Sequence, residues 1–364
     1  MYGEHDYEVL TSSREGLQRQ EDHFGSKQRH DTDGYNIIPF GYCTYRNRSD
    51  DGKFAFNINT ISEKAIVSKF YPVFRFTNAN STFMAEFLNS SPCVKKKLSV
   101  LAVGTSQVVL SFEALKAAKF DLPCKDEQDK IAAFLECLNT RIENQRTLVV
   151  ALKKYKRGLL SREFGQQENG DLNNRHVGKL KDYFHLSSGS TPSSTNRAFY
   201  SGNIRWVSSG ELKPKYLCET SQHISSEAVS SCNLREYPAN TLLIAMYGLE
   251  AAGVRGTASI LSVPATISQA CMAIQQTGEI DIEYLYYWYI YNGQWIGIRI
   301  AQGTKQQNLS TDTLGSLRIY APSYSKQKKV CKLLSQIDYL IEKESQKFDL
   351  ISSVKRGLLQ QIFI

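Results

Sequence analysis

The sequence has no long apolar run, no paired cysteines and no recognisable metal-ligand spacing. Its 364 residues include eight cysteines, but no CxxC pair occurs, and the six histidines keep no ligand spacing with them. This pattern argues against structural zinc and favours reduced, mostly buried thiols. The apolar runs are far shorter than the roughly 20 residues that span a bilayer, and the opening MYGEHDYEVL does not resemble a signal sequence. We therefore expect a cytoplasmic protein that binds no metal and no membrane.

Several catalytic signatures are also missing. The sequence contains no GxxxxGK[ST] phosphate loop, no GxGxxG and no HExxH. It has no Pro-Pro dipeptide, which the Asn/Asp-Pro-Pro-aromatic loop of an amino-methyltransferase needs. One triplet, Glu211-Leu212-Lys213, matches the ExK pattern of metal-dependent nucleases, but such triplets are common by chance. We expect no catalytic residue in this chain.

What is present is a duplication. Residues 131–164 and 330–363 are two copies of one heptad pattern, offset by 199 positions. A GTxQxxLS segment at 104–111 and 303–310, and a Pro-x-x-x-x-Gln segment at 123–128 and 322–327, repeat at the same offset. We expect the two helices, near 126–162 and 326–361, to pack antiparallel, so that facing positions sum to about 489. The seam then consists of Ile131, Leu138, Gln145, Leu152 and Leu159 on one helix, and Val330, Ile337, Glu344, Ile351 and Leu358 on the other.

The fold class that follows is α/β (α+β). Two domains of mixed strands and helices are separated by two long antiparallel coiled-coil helices, with an internal pseudo-two-fold. β-branched and aromatic runs predict strands, and apolar periodicity predicts short helices within the domains. The predicted parts are a first domain at 1–124, a helix at 125–164, a linker at 165–176, a second domain at 177–323 and a helix at 324–364. The predicted strands are 35–45, 65–76, 204–208 and 241–247, and the predicted short helices are 82–89 and 283–291.

Polar and basic residues on loops beside these strands suit DNA. The net charge of +8 makes an anionic partner plausible. Arginine and lysine suit guanine edges, glutamine suits adenine, and hydroxyls position phosphates. Taken singly, each of these residues is more often a solvated loop side chain. The predicted DNA-binding residues are Ser12, Arg14, Lys27, Arg29, Arg46, Arg48, Gln107, Ser190, Thr191, Arg197, Tyr200, Ser208, Ser209, Tyr247, Arg255, Lys305, Gln306 and Gln307.

Several motifs in a fixed order resemble those of a known family. The helices end in KRGLLSREF and KRGLLQQIF, each preceded by the GTxQxxLS and Pro-x-x-x-x-Gln segments, and the second domain opens with GSTPS followed by IRWVSSGEL. Together with YNIIPFGYCTYRNRSDDG in the first domain, this order resembles the specificity subunits of type I restriction-modification systems. The resemblance covers essentially the whole chain.

The resemblance implies two target-recognition domains, each reading half of a split site in double-stranded DNA. It implies that the two conserved helices dock two methyltransferase (modification) subunits, and that restriction/translocase subunits join through the complex. S-adenosylmethionine, Mg and ATP are then expected only on those partner subunits, with no cofactor in this chain. Two alternatives stay open: a DNA methyltransferase or nuclease that acts alone, which binding of S-adenosylmethionine by the isolated chain would favour, and a coiled-coil scaffold without DNA affinity.

The two domains differ at their openings. With the offset of 199, Met1 aligns with Tyr200, so the segment of the second domain that opens at Gly178 and precedes Tyr200 has no counterpart within 1–124. If that segment supplies an edge strand, the first domain exposes unpaired backbone, and another part of the assembly or an upstream sequence covers it.

We therefore expect the first domain to be the less stable half. Limited proteolysis of the free chain, followed by mass spectrometry, should show first cuts between Met1 and about Asp33 while residues 178–323 survive. Equal resistance of the two halves would contradict this expectation.

Overall fold

The computed structural model describes residues 7–25, 32–165, 175–301, 303 and 308–363, which fall into two compact units. Unit 1 consists of Met1–Leu148 and Glu344–Ile364, and unit 2 consists of Val149–Lys343. Each long helix therefore contributes one part of its length to each unit.

Unit 1 contains short strands and four short helices in its described residues before the first long helix begins. The strands are β1 (Glu8–Ser13), β2 (Gly16–Arg19), β3 (Asn36–Ile37), β4 (Cys43–Tyr45), β5 (Arg48–Ser49), β6 (Phe56–Ile58), β7 (Ala65–Val67), β8 (Val73–Phe74) and β9 (Val108–Val109). The helices are α1 (Gln20–Phe24), α2 (Ser81–Ser90), α3 (Pro92–Leu101), α4 (Phe112–Ala117) and the long α5 (Lys125–Phe164).

The strands of unit 1 form three small sheets. Their orders are β2-β1-β7-β3, β6-β4-β8 and β5-β9. The predicted strands 35–45 and 65–76 were wrong in extent, because each is broken into two short strands. In the first, Pro39 has no N–H for a ladder and Gly41 has a positive φ of 82°. In the second, the break between β7 and β8 contains Pro72 and a turn in which the Tyr71 amide donates to the Ser68 carbonyl.

Unit 2 has a larger sheet and a strongly apolar helix. Its strands are β10 (Arg175–Lys179), β11 (Phe184–Ser188), β12 (Ile204–Val207), β13 (Tyr216–Leu217), β14 (Gln222–Ile224), β15 (Leu242–Ala245), β16 (Ala258–Leu261), β17 (Thr266–Ile267), β18 (Cys271–Gln276) and β19 (Arg318–Pro322). Its helices are α6 (Leu180–Tyr183), α7 (Ser226–Ser231), α8 (Ile282–Trp295), α9 (Thr311–Gly315) and the long α10 (Tyr324–Ile362).

The sheets of unit 2 have the orders β11-β18-β15-β16-β13, β14-β12-β17 and β10-β19. The helix α8 buries Tyr284, Leu285, Tyr287 and Trp288 against the five-stranded sheet, so this unit has the main hydrophobic core of the described chain. The predicted linker 165–176 ends too late, because residues 175 and 176 already pair with β19. Among the described residues, no helix is long and apolar enough to cross a membrane.

A buried glutamine fixes each long helix to the domain beside it. In unit 1, Gln128 donates from Nε2 to the Pro123 carbonyl over 2.9 Å and accepts from the Asn80 amide over 3.0 Å. In unit 2, Gln327 donates to the Pro322 carbonyl and accepts from the Asp281 amide, each over 2.8 Å. Asn80 and Asp281 are the N-caps of α2 and α8. The repeated Pro-x-x-x-x-Gln motif therefore makes the same pair of hydrogen bonds in both units. We call this contact of Gln128 or Gln327 with its proline carbonyl and its N-cap amide the clamp.

The long helices also bury apolar side chains against the domains, at two positions of the predicted heptad pattern (Leu135 and Leu334) and at further positions outside it. In unit 1, Phe83 of α2 packs with Ala132 and Leu135 of α5, with Leu359 of α10, and with Phe363 directly after α10. The equivalent residues at the offset of 199, Cys331, Leu334, Leu160 and Phe164, pack in the core of unit 2 beside α8. The positions outside the pattern were also recognisable in the sequence, because Ala132, Leu160, Cys331 and Leu359 repeat at the same offset and each lies one residue after a named seam position.

The seam itself has the predicted register at its centre. The amide of Gln145 donates to the Glu344 carboxylate over 2.7 Å and to the Glu344 carbonyl over 2.9 Å, within unit 1. All ten seam positions named above are buried or half-buried. Hydrogen bonds from Lys347 and Gln145 hold the pKa of Glu344 below its usual value. The contact joins positions 145 and 344, which sum to 489.

We expect Gln327→Leu to destabilise unit 2 by about 3 kcal/mol, because the Asp281 amide and the Pro322 carbonyl are then buried without partners. Urea unfolding followed by tryptophan fluorescence measures this change. The control is Gln360→Leu on the exposed side of α10, which should change the unfolding free energy by less than about 0.5 kcal/mol. Equal effects of the two substitutions would contradict the clamp.

Candidate nucleic-acid interface

In unit 1, four of the predicted residues lie around one loop, residues 46–53. Arg46 and Arg48 are exposed on the loop itself, and the Arg48 guanidinium lies 5.5 Å from the centre of the Phe70 ring. Arg14, from the turn between β1 and β2, forms an ion pair with Asp51 at 2.5 Å. Gln107 donates to Asp50 over 2.9 Å because β5 pairs with β9, directly after the GTSQ segment. The fold thus brings together residues far apart in the sequence.

The carboxylates in this loop organise its cations. Asp51 accepts from the Ser49 hydroxyl and the Lys53 amide in addition to Arg14. Desolvation alone would raise the pKa of Asp51, but the hydrogen bonds from Ser49 and Lys53 and the charge of Arg14 outweigh it and lower the pKa. Four basic side chains (Arg14, Arg46, Arg48 and Lys53) surround two carboxylates, which leaves an excess of positive charge. Such a surface suits phosphates.

The same loop borders a cavity of about 1300 Å³ in unit 1. Arg14 and Lys53 line one part of the cavity, and Lys95 and Lys96 of α3 also line it. Sequence analysis missed these two lysines, although the run Lys95-Lys96-Lys97 was visible as a cluster of one charge sign. They place further cations on a helix beside the loop, and the cavity wall also has four carboxylates: Glu15, Asp51, Glu86 and Glu136.

Ser12 lies outside this surface. It is buried in β1, and its hydroxyl accepts a hydrogen bond from the Asn57 amide over 2.8 Å. The Asn57 side chain also donates to the Ser13 carbonyl over 2.9 Å. Ser12 therefore helps to hold β1 beside β6, and its hydroxyl already has a partner within the domain.

In unit 2, the GSTPS segment is fastened to the turn between β17 and β18. The Ser190 amide donates to the Ile267 carbonyl over 3.1 Å, and the Thr191 hydroxyl accepts from the Gln269 amide over 3.1 Å. A Cβ on Gly189 would lie 2.3 Å from the Ile267 carbonyl oxygen, so glycine is required there. The segment is a loop held by these contacts, in which Thr191 stays exposed.

Tyr200 closes the same loop from its other end. Its hydroxyl donates to the Pro192 carbonyl over 2.7 Å, and its ring lies edge-on to Trp206 at 5.9 Å. Desolvation raises the pKa of Tyr200. Arg197, three residues earlier, is exposed on the surface of this loop.

Ser208 and Glu211 form a capped turn. The Ser208 amide and hydroxyl both donate to one Glu211 oxygen over 2.8 Å, and the Ser221 amide donates to the other oxygen over 2.6 Å. Burial opposes the ionised form of Glu211, but the hydrogen bonds from Ser221 and Ser208 outweigh it and lower the pKa. Ser209 lies half-buried inside this turn. Glu211 belongs to the triplet that matches the nuclease ExK pattern, and both of its carboxylate oxygens therefore accept hydrogen bonds from within the domain.

Arg255 and Tyr247 lie on the loop between β15 and β16. Arg255 donates to the Leu249 carbonyl over 2.7 Å and to the Glu250 carbonyl over 2.8 Å. Its stem packs on Gly297, where an added Cβ would lie 2.6 Å from the Arg255 Cγ. Tyr247 is exposed. Arg255 thus shapes the loop, and Tyr247 presents a ring to solvent.

Five predicted residues, Lys27, Arg29, Lys305, Gln306 and Gln307, lie outside the described residues. One group of three metal-type ligands occurs in the described ranges: Asp281, Glu283 and Cys331 in unit 2. Asp281 pairs with Lys328 at 2.6 Å, Glu283 pairs with Lys215, and burial raises the pKa of the Cys331 thiol. A protonated thiol and two paired carboxylates fit a divalent cation poorly.

The chain matches the sequence model of the family described as "Type I restriction modification DNA specificity domain" over residues 3–152 and 174–352. It is 28% identical over 192 residues to the type I restriction enzyme MjaIX specificity subunit of Methanocaldococcus jannaschii, which covers 52% of this chain and 43% of that protein. It is 24% identical over 232 residues to the EcoR124I/EcoR124II specificity subunit of Escherichia coli, which covers 61% of this chain and 56% of that protein. The chain thus spans about half the length of the curated relatives it matches.

Solved structures show the same fold at low sequence identity. The crystal structure of the type I restriction-modification S subunit from M. genitalium superposes with a TM-score of 0.62 at 16% identity, covering 99% of this chain and 89% of that one. A structure described as showing complex assembly and conformational transition of the type I R-M system superposes with a TM-score of 0.57 at 16% identity. It covers 92% of this chain and 84% of that one. The fold of mixed α/β domains with long helices, as predicted from the sequence, is confirmed.

Two arginines of unit 2 should separate DNA contact from folding. Arg197→Ala should leave the unfolding free energy within about 0.5 kcal/mol of the parent and weaken binding to duplex DNA, lowering the slope of log affinity against log salt by about 1. Arg255→Ala should destabilise unit 2 by about 2 kcal/mol, because two hydrogen bonds to the loop backbone and the packing of the Arg255 stem on Gly297 are lost. Urea unfolding and fluorescence anisotropy at several salt concentrations measure both. If Arg197→Ala destabilised unit 2 and Arg255→Ala changed only DNA binding, the roles assigned to these two arginines would be wrong.

Proposed function

The chain belongs to the type I restriction modification DNA specificity family, and from this premise we propose that it reads a bipartite DNA site and recruits methyltransferase subunits to it. In this proposal residues 1–124 and 177–323 are the two recognition domains, and the long helices are the spacer between their half-sites. Catalysis belongs to partner subunits in the cytoplasm, and S-adenosylmethionine, Mg and ATP bind to those partners.

The observation that carries the proposal is the clamp that occurs once in each unit. Gln128 and Gln327 bind equivalent proline carbonyls and equivalent helix N-caps, so each domain is fixed to the helix pair in the same way. A protein that holds two similar domains on one helical spacer is suited to two separated half-sites. This arrangement supports a split site more strongly than a continuous one.

The exposed side chains are of the kinds that read and grip DNA. In unit 1, Arg46, Arg48 and Gln107 lie on adjoining loops, with Lys95 and Lys96 nearby on the cavity wall. Arginine can bond two guanine acceptors at once, whereas lysines contact phosphates without sequence preference. We propose that the loop residues read bases and that the lysines on α3 position the duplex.

The outer faces of the long helices support recruitment of two identical partners. Phe134 and Val354, both in unit 1, are 49% and 48% exposed. Their equivalents at the offset of 199, Leu333 and Tyr155 in unit 2, are 40% and 57% exposed. Large apolar side chains repeated on a solvent face are typical of protein interfaces. We propose that each pair docks one methyltransferase subunit.

Substitutions on this face should change the stoichiometry of the complex. Phe134→Glu should remove one methyltransferase subunit, and Phe134→Glu with Leu333→Glu should remove both, because burying an unpaired carboxylate opposes docking. Native mass spectrometry of the co-expressed complex measures the stoichiometry, and Ser353→Glu, at an exposed polar position of α10, is the control. Retention of two subunits by the double variant would place the docking surface elsewhere.

Deletion of one heptad from both helices tests the spacer. Removing residues 142–148 and 341–347 takes out the Gln145 and Glu344 layer as a pair and shortens each helix by about 10 Å, the length of about three base pairs. The recognised bases should stay the same while the gap between them shortens, as read by sequencing methylated sites. Altered bases with an unchanged gap would contradict the spacer role, and deletion from one helix only, which breaks the pairing, is the control.

A further inference from the structure

The helix α8 of unit 2 ends in a turn of unusual geometry. Its last residue, Trp295, leads directly into a π-helical turn, Ile296–Ile300, and the Ala301 amide donates to the Ile296 carbonyl over 2.9 Å. A turn of this kind closes its hydrogen bonds five residues apart, is rare in proteins and occurs frequently at functional sites. The end of α8 is therefore a candidate for a functional surface.

The turn exposes a large apolar surface. Trp295 is 49% exposed and Ile298 is 52% exposed. These two residues are three positions apart, so they are neighbours on the helix surface, and we call them the apolar pair. The other two of the three tryptophans, Trp206 and Trp288, are buried. Single exposed apolar residues are ordinary, but two large ones side by side are typical of a binding surface.

The apolar pair is held beside the loop between β15 and β16. A Cβ on Gly293 would lie 2.2 Å from the Gly256 Cα, so the backbone of α8 approaches this loop closely. The Arg255 stem packs on Gly297, within the π-helical turn itself. The apolar pair therefore adjoins the loop that also exposes Tyr247.

Positive charge surrounds the apolar pair in the sequence. Residues 284–311 contain no aspartate or glutamate, and their basic residues are Arg299 and Lys305. Arg299 is exposed directly after the apolar pair. The adjoining loop adds one carboxylate, Glu250, and one cation, Arg255, so cations outnumber carboxylates on the two segments. Apolar side chains among cations suit a polyanion with apolar faces, and DNA offers both phosphates and bases.

The equivalent place in unit 1 is cationic. The glycine of the GTxQ segment follows three residues after the last residue of α3 in unit 1, and three residues after the last residue of the π-helical turn in unit 2. Trp295 and Ile298 therefore correspond to Lys96 and Ser99, which are also exposed. Because Lys96 is proposed above to position the duplex, its counterpart in unit 2 replaces a charge with an aromatic ring.

We propose that the apolar pair packs against bases of the half-site that unit 2 reads, with the Trp295 ring stacked on a base at a step that opens on binding and Arg299 on the adjacent phosphate. This inference rests on the proposed function, because it assigns further residues to the DNA surface of unit 2. An opened base step offers a flat apolar face that an aromatic ring can cover. Unit 1 then holds its half-site mainly by charge, and unit 2 holds its half-site partly by stacking.

The salt dependence of binding separates the two modes. The probe is a labelled duplex selected from random sequences by the parent complex, and fluorescence anisotropy measures its affinity at several salt concentrations. Trp295→Ala should weaken binding about tenfold at every salt concentration, because stacking releases no counterions, and Trp295→Phe should restore most of the affinity. Lys96→Ala, the matched change in unit 1, should instead lower the slope of log affinity against log salt by about 1. Val177→Ala, at an exposed apolar position of β10, should change the affinity by less than about twofold.

Tryptophan emission tests the stacking itself. The difference in emission between the parent and Trp295→Phe belongs to Trp295, and the selected duplex should quench this difference because the indole ring then stacks on a base. Unchanged emission, or equal affinity of the parent and Trp295→Ala, overturns the inference, while selection of a duplex by the parent leaves the proposed function standing. If Trp295→Ala releases a methyltransferase subunit and keeps its affinity for DNA, the surface is a protein interface and the inference is wrong. If the parent selects no duplex, the proposed function and this inference both fail.

Discussion

Both halves of the molecule depend on a buried amide that must donate and accept at once. Gln128 and Gln327 each bond a proline carbonyl just before a long helix and the N-cap amide of a domain helix. A carboxylate could not donate and an apolar side chain could do neither, so glutamine is the residue whose chemistry fits both partners. The domain helix and the long helix then have a fixed starting contact, and the apolar clusters around Leu135 and Leu334 extend it.

Polar contacts between the long helices and their surroundings specify which residues meet. Lys156 pairs with Asp338 at 2.5 Å in unit 2, and Lys355, its equivalent, pairs with Glu86 at 2.7 Å in unit 1. The acid differs because position 139 is asparagine where position 338 is aspartate, and Asn139 donates to Glu86 instead. Half-buried ion pairs add little net stability, but a wrong register would leave each lysine unpaired. Together with Gln145 and Glu344 they favour one antiparallel register over its neighbours.

The sequence predicted the structure well where a heptad pattern repeats over many turns. It predicted the structure poorly where contacts with distant residues determine the local conformation. The long helices were predicted within about two residues of their ends, because a heptad pattern over five turns or more outweighs local exceptions. In unit 1 the strands have only two to six residues, and Pro39 and Pro72 divide runs that composition alone joins. Ser12 and Arg255 were predicted as DNA contacts from their residue types alone. In the fold, Ser12 binds Asn57 and Arg255 binds two backbone carbonyls. These partners lie in distant or irregular segments, so no local sequence pattern reveals them.

We propose that two domains on one helical spacer read two separated half-sites. Selection from a pool of random duplexes, with the full chain bound to its methyltransferase partner and the retained DNA sequenced, tests it most directly. We expect one enriched motif with two short specified parts and an unspecified gap of constant length. A single continuous motif, a gap of variable length, or retention of DNA without any enrichment would contradict it.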